Sequence, residues 1–208
     1  MTGRFIAVEG ADGTGKSTQA RLLADRLGAL FTREPGGTPL GEQIRDLVLD
    51  PASEAPVDRA EALLMAAARA QHVDLVVAPA LAAGRDVVSD RYVASSIAYQ
   101  GHGRGLGAGP VAEVNQFATG GLTPDLVVLI EMAPPLAGRR LGDDRKGELD
   151  RIEQAGGDLQ AVVADAYRAM AMADPDRWVI IDGDGTVDEV AVRVAETVDA
   201  RLNQRRDP

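Results

Sequence analysis

The chain has 208 residues, 45% hydrophobic and 26% charged, which is the usage of a folded domain with its own core and not of a disordered tail. A formal net charge of -10 argues against a long basic track for DNA or RNA, and the lack of cysteine excludes disulfides and thiolate metal sites. Phe5 to Val8 is too short for the apolar heart of a signal peptide and no later run approaches a membrane span, so the sequence predicts a single domain over 1–208, cytoplasmic, with neither nucleic acid nor membrane as partner.

The first predicted element is a strand, Phe5 to Val8. It runs into Gly10-Ala11-Asp12-Gly13-Thr14-Gly15-Lys16-Ser17, which satisfies G-x-x-x-x-G-K-[ST] at every fixed position, and a helix opens at Lys16 and lasts to Leu27. Strand, glycine loop and helix N-terminus together let successive N–H groups curl around phosphate. The candidate ATP site is therefore Gly10, Ala11, Asp12, Gly13, Thr14, Gly15, Lys16, Ser17 and Thr18, with Lys16 on the β- and γ-phosphates and Ser17 on Mg²⁺. A P-loop alone leaves kinase, GTPase switch and ATP-driven machine open. Lys16 and Lys146 are the only two lysines, which leaves no place for an N-K-x-D guanine-reading motif, and a compact acidic chain gives a motor little support.

A strand at Ala29 to Thr32 and a helix at Leu40 to Leu49 follow, then a long helix from Asp58 to Ala83. Inside its apolar stretch Ala62 to Ala70 lies Arg69, costly to bury without a planar polar partner. The strand Val87 to Ser89 ends in Asp90-Arg91-Tyr92, at the carboxyl edge where α/β sheets bind ligands. Asp90 is a candidate for Mg²⁺ or its waters, and Arg91 for bridging donor and acceptor phosphates. A short helix, Ala94 to Tyr99, sets Ser96 against Tyr99 and Gln100 at offsets of about three and four. Gly101 to Pro110, with glycine at alternate positions through Gly109, predicts a mobile loop. After a helix at Val111 to Ala118 and a strand at Leu126 to Ile130, the dense charges of Gly142 to Ile152 fit either a solvated helix or loop, or a lid over phosphates. A helix Leu159 to Ala173, a strand Trp178 to Ile181 and a helix Val187 to Asn203 complete the pattern: an α/β P-loop NTPase fold, a five-stranded parallel sheet flanked by helices, with a short lid at about 142–153.

Four segments together resemble the bacterial thymidylate kinases along essentially the full length. They are Glu9-Gly10 leading into the P-loop; Arg33-Glu34-Pro35-Gly36-Gly37-Thr38; Asp90-Arg91-Tyr92-Val93-Ala94-Ser95-Ser96 followed by Tyr99-Gln100-Gly101; and Gly147-Glu148-Leu149-Asp150-Arg151-Ile152-Glu153. Other nucleoside monophosphate kinases share the P-loop without this combination. The resemblance implies in-line phosphoryl transfer from ATP to dTMP, giving dTDP, with Mg²⁺ as cofactor and a homodimer as assembly. It implies that Asp12 lies near the acceptor's sugar hydroxyl, Glu34 near the acceptor and Mg²⁺, and Arg45 on the acceptor phosphate. Arg69, Ser96 and Gln100 would contact the base, and Tyr99 would crowd the 2′ position. Where that family stacks a phenylalanine on the base this chain has Met65, whose thioether packs on an aromatic face or simply fills the helix core. Arg145, Lys146 and Arg151 are the candidate lid cations, joining Lys16 and Arg91 in stabilising the transferring group. Two other readings stay open: a kinase for dUMP, UMP or CMP, and a non-catalytic nucleotide-binding regulator on the same fold.

Overall fold

Short apolar runs become strands when both faces can be covered, and five of them do so here. The computed structural model describes residues 3–145 and 149–204. Its strands are β1 (Phe5–Glu9), β2 (Leu30–Arg33), β3 (Val87–Asp90), β4 (Leu126–Glu131) and β5 (Trp178–Asp182), all parallel, in the order β2-β3-β1-β4-β5. The α/β fold and the five-stranded parallel sheet are those the sequence predicts. Alternate side chains of each strand face opposite layers. Ile6, Val8, Val128 and Ile130 pack with Leu23 of α1 (Lys16–Leu27) and Val194 of α9 (Val187–Gln204). Phe5, Ala7, Val127 and Leu129 belong to the opposite layer, with Met65 of α3 (Asp58–His72) and Val163 of α8 (Gly157–Ala173).

Register matters for function. Val8 lies beside Asp90, so the strand that feeds the P-loop and the strand that ends in Asp90-Arg91 finish side by side. The second helix, α2 (Pro39–Leu49), is started by Thr38, whose hydroxyl accepts from the Gly41 N–H at 3.0 Å.

Four segments depart from expectation. The predicted helix Asp58 to Ala83 is broken by a π-helical turn, Val73–Val77, before α4 (Ala78–Ala82). Pro79 has no N–H for the carbonyl four residues back and its ring crowds it, which a widened turn accommodates. The predicted helix Ala94 to Tyr99 is also divided, into α5 (Val93–Ser96) and a π-helical turn, Ile97–Gly103, that carries Tyr99 and Gln100. Gly101 to Pro110 is consequently not all loop: its first three residues finish that turn and its last three open α6 (Ala108–Thr119). Finally, α7 (Pro134–Arg145) forms where prolines and glycines hide the helical pattern; Pro134 and Pro135 stand in the first turn, where no N–H is needed.

Candidate active site

The P-loop is shaped by what glycine permits. Gly10 has φ 155°, and a Cβ there would sit 2.6 Å from the Ile130 carbonyl oxygen. The Thr14 hydroxyl donates to the Ala11 carbonyl at 2.9 Å, and Gly15, at φ 82°, caps α1 so that the helix N-terminus faces the loop. Lys16 is buried, its Nζ 3.2 Å from Asp12 Oδ1 and 3.4 Å from the Ala11 carbonyl. Burial and the charge of Arg91 lower its pKa, against the pull of Asp12. Ser17 and Thr18 are exposed in the first turn of α1.

Arg91 is the hub. Its backbone takes φ 72°, a left-handed conformation costing a non-glycine residue about 1–2 kcal/mol, and its N–H donates to the Val8 carbonyl at 3.0 Å. Nη1 donates to the Gly10 carbonyl at 3.3 Å, Ser95 Oγ at 3.0 Å and Tyr167 Oη at 3.1 Å; Nη2 donates to Asp12 Oδ1 and to Tyr99 Oη. Asp12 Oδ2 accepts from Tyr99 Oη at 2.7 Å and Gln160 Nε2 at 2.9 Å. Burial would raise the Asp12 pKa, but Arg91, Lys16 and these hydrogen bonds hold it well below the usual aspartate range. Behind Arg91, the buried Glu9 carboxylate accepts from the Tyr92 N–H at 2.8 Å, Ser95 Oγ at 2.7 Å and Tyr167 Oη at 3.0 Å. Burial pushes its pKa up, against these donors and Arg91.

Beside this hub opens a cleft that brings together the predicted acceptor residues Asp12, Glu34, Met65, Arg69, Arg91, Ser96, Tyr99 and Gln100. Arg45 borders the cleft at Pro35, its Nη1 donating to the Pro35 carbonyl at 3.0 Å, with burial and the nearby Arg33 lowering its pKa. Arg69 is only 3% exposed and is held by acceptors on all sides. Nε donates to Glu34 Oε2 at 2.6 Å, Nη1 to Ser96 Oγ at 2.9 Å and to Asn115 Oδ1, and Nη2 to the Tyr92 carbonyl at 3.0 Å. A guanidinium has five N–H groups, and among the described residues these bonds engage four, leaving one on Nη2. Met65, one turn before Arg69 on α3, lines the same cleft.

Glu34 lines the same cleft. Both its oxygens are engaged, Oε2 by Arg69 and Oε1 by His72 Nδ1 at 2.8 Å, with His72 Nε2 set 2.6 Å from Thr32 Oγ1. It thereby orients the guanidinium of Arg69. Asp90 behaves differently: its Oδ1 is buried and, among the described residues, has no hydrogen-bond partner. An orphaned carboxylate oxygen beside the P-loop suits a divalent cation or its water, because Mg²⁺ in such sites takes one or two protein oxygens and the rest from phosphate and water. Arg151 is tied to the acceptor side of the cleft. Its N–H and Nε donate to the carbonyls of Leu49 at 2.9 Å and Val48 at 2.7 Å, and Nη2 reaches Glu61 Oε2 at 3.2 Å, so it braces the acceptor side of the cleft. Lys146 and the Arg145 side chain lie outside the described residues. Sequence reasoning missed the supporting groups Glu61, Asn115, Gln160 and Tyr167. Their only signal was a polar residue on an otherwise buried helix face.

A glycine loop at the carboxyl edge of a parallel sheet, faced by a cleft lined by Arg69 and Arg91, defines a P-loop phosphotransferase acting on a small acceptor. The thymidylate kinase family model matches residues 8–194. The chain is similar to the thymidylate kinase of Leifsonia xyli, 47% identical over 206 residues covering 96% of both chains, and to that of Lactobacillus helveticus, 43% identical over 208 residues covering 97% of this chain and 98% of the other. A solved structure of thymidylate kinase from Ehrlichia chaffeensis superposes with a TM-score of 0.77 at 27% identity, covering 95% of this chain and all of that one. The chain belongs to the thymidylate kinase family.

Proposed function

We propose that the chain phosphorylates dTMP to dTDP with ATP as donor, by direct in-line transfer within a cytoplasmic homodimer. The observation that carries the reading is Arg91: one guanidinium bonded both to the P-loop, at Gly10 and Asp12, and to Tyr99 and Ser95 of the acceptor cleft. A cation so placed meets charge developing on a group passing between the two sites. Its left-handed backbone and its five acceptors fix it before substrate arrives, so no reorganisation is needed at the moment of transfer.

Lys16 would leave Asp12 for the β- and γ-phosphates, and the P-loop N–H groups would hold the donor. Ser17 and Asp90 would hold Mg²⁺, which when bound neutralises phosphate charge. Arg45, near Arg33 at the Pro35 turn, would bind the acceptor phosphate. The free N–H of Arg69 would donate to the O4 carbonyl of thymine, Met65 would pack on the ring, and Tyr99 would exclude a 2′ hydroxyl. Arg145, Lys146 and Arg151 would be the candidate cations of the lid. Because the acceptor phosphate is already an anion near pH 7, no general base is required.

The homodimer is supported by apolar side chains left facing solvent on adjoining helices: Leu63 of α3 is 58% exposed and Phe117 of α6 is 91% exposed. ATP is an intracellular donor, which supports the cytoplasmic placement.

The test is ADP release by the purified chain with Mg-ATP and, in turn, dTMP, dUMP, UMP, CMP, AMP and GMP. Turnover is expected with dTMP above all, with some on dUMP, since a single methyl is worth about 1–3 kcal/mol of discrimination. No turnover with any acceptor would end the kinase reading, and preference for CMP or UMP would end only the thymidylate assignment.

A further inference from the structure

Glu61 is a buried carboxylate, 1% exposed, that the phosphoryl-transfer scheme leaves without a task. It lies on α3 at positions i, i+4 and i+8 with Met65 and Arg69, so the three share one helix face. Across the cleft, Ser96 and Gln100 are four apart on the run that follows β3. Two cross-links join these faces: Arg69 Nη1 to Ser96 Oγ at 2.9 Å, and Gln100 Nε2 to Glu61 Oε1 at 2.9 Å, with Met65 between them on α3. Glu61 itself is pinned by Arg104, whose Nε reaches Oε1 at 3.3 Å and whose Nη2 reaches Oε2 at 3.2 Å, and by Arg151 Nη2 on Oε2 at 3.2 Å.

A side-chain amide has a donor end and an acceptor end of nearly the same shape, and which end faces where is decided by its partners. A carboxylate paired to two guanidinium groups only accepts. It therefore commands the Nε2 end of Gln100, which leaves Oε1 as the acceptor offered to the cleft that Gln100 lines. We propose that Glu61 is a specificity-determining positioning residue: by locking the amide of Gln100, it makes the cleft present an acceptor beside the donor of Arg69, a pattern that matches a base carrying N3–H beside a C4 carbonyl and mismatches one carrying a bare N3 beside a C4 amino group. The inference rests on the thymidylate reading and names what makes that site reject cytosine.

The substitution that isolates it is Glu61→Gln, which keeps the shape and can face either end of Gln100. Steady-state kinetics with dTMP and dCMP at saturating ATP are expected to show the dTMP-to-dCMP ratio of kcat/KM falling about tenfold or more, chiefly through KM, with the KM for ATP unchanged. A loss of stability alone would lower both acceptors together. Should Glu61→Gln fail to fold by circular dichroism, the same ratio is measured with Glu61→Asp, which keeps the charge facing Arg104 and Arg151 but draws the carboxylate back from the Gln100 amide, and the ratio is again expected to fall. An unchanged ratio in the folded variant overturns the role of Glu61 while leaving dTMP turnover intact. A wild-type chain inactive on dTMP overturns the thymidylate reading and this inference with it.

Discussion

Replacing Arg69 by alanine removes four hydrogen bonds and one buried charge at once, and the two losses can be separated. Glu34, 4% exposed, would be left with His72 as its remaining partner, and an uncompensated buried carboxylate costs about 3–5 kcal/mol. The Arg69→Ala variant should therefore unfold at markedly lower urea concentration. Independently, loss of the Arg69 guanidinium from the wall of the cleft should raise the KM for dTMP about tenfold to a hundredfold, while the KM for ATP stays within about twofold. Adding Glu34→Gln takes away the orphaned charge, so the double variant should regain a large part of the lost stability and none of the lost acceptor affinity. The assays are urea unfolding followed by circular dichroism and ADP-release kinetics with each substrate varied in turn. An equal rise in both KM values, or recovery of the dTMP KM in the double variant, would refute a base-reading role for Arg69.

Glu9→Gln should lower stability by about 1–3 kcal/mol, because one of three donors now meets an amide N–H, and should lower kcat about tenfold or more because Ser95 and Tyr167 support Arg91 from Glu9. Normal kcat in a destabilised variant would make Glu9 purely structural. For Asp12→Asn, about 2 kcal/mol should be lost near pH 7. The folded pKa of Asp12 lies below the ordinary 3.8, so its stabilisation is complete above that value and fades as pH falls through the folded value; the gap between wild type and variant should narrow on acidification toward about pH 3. A gap that does not move with pH would contradict the ion-pair account. Phe117→Glu, at a side chain 91% exposed, should shift the sedimenting species from two chains to one without unfolding it, and a wild-type monomer would remove the dimer proposal.

What was legible in the sequence was local. The P-loop needs only neighbouring residues, each strand is a short apolar run bounded by turn residues, and Arg69 stands out because its apolar neighbours must be buried with it. What was hidden depends on elements that meet only after folding. Gln100 finds Glu61 across 39 positions, Arg69 finds Asn115 across 46, and Gln160 reaches Asp12 across 148, separations for which no spacing rule exists. The resemblance places Glu34 near the acceptor and Mg²⁺, and Glu34 does line the cleft. Its direction is set by Arg69 and His72 on α3. The π-helical turns escaped for a related reason: the helical period survives through them, while Pro79 and the tertiary setting decide where an extra residue is absorbed.

Asp12 belongs by sequence to the donor loop, yet its carboxylate is shared among Lys16, Arg91, Tyr99 and Gln160. A phosphate that draws Lys16 away leaves Arg91, among the described residues, as the sole cation on that carboxylate, and so strengthens the hold of Asp12 on the wall of the acceptor cleft. Occupancy of one site is thereby written into the charge balance of the other. Thermodynamic reciprocity then requires that whatever factor the donor imposes on acceptor affinity, the acceptor returns on the donor. The two substrates would be coupled through a single carboxylate, without any movement of the sheet that carries them.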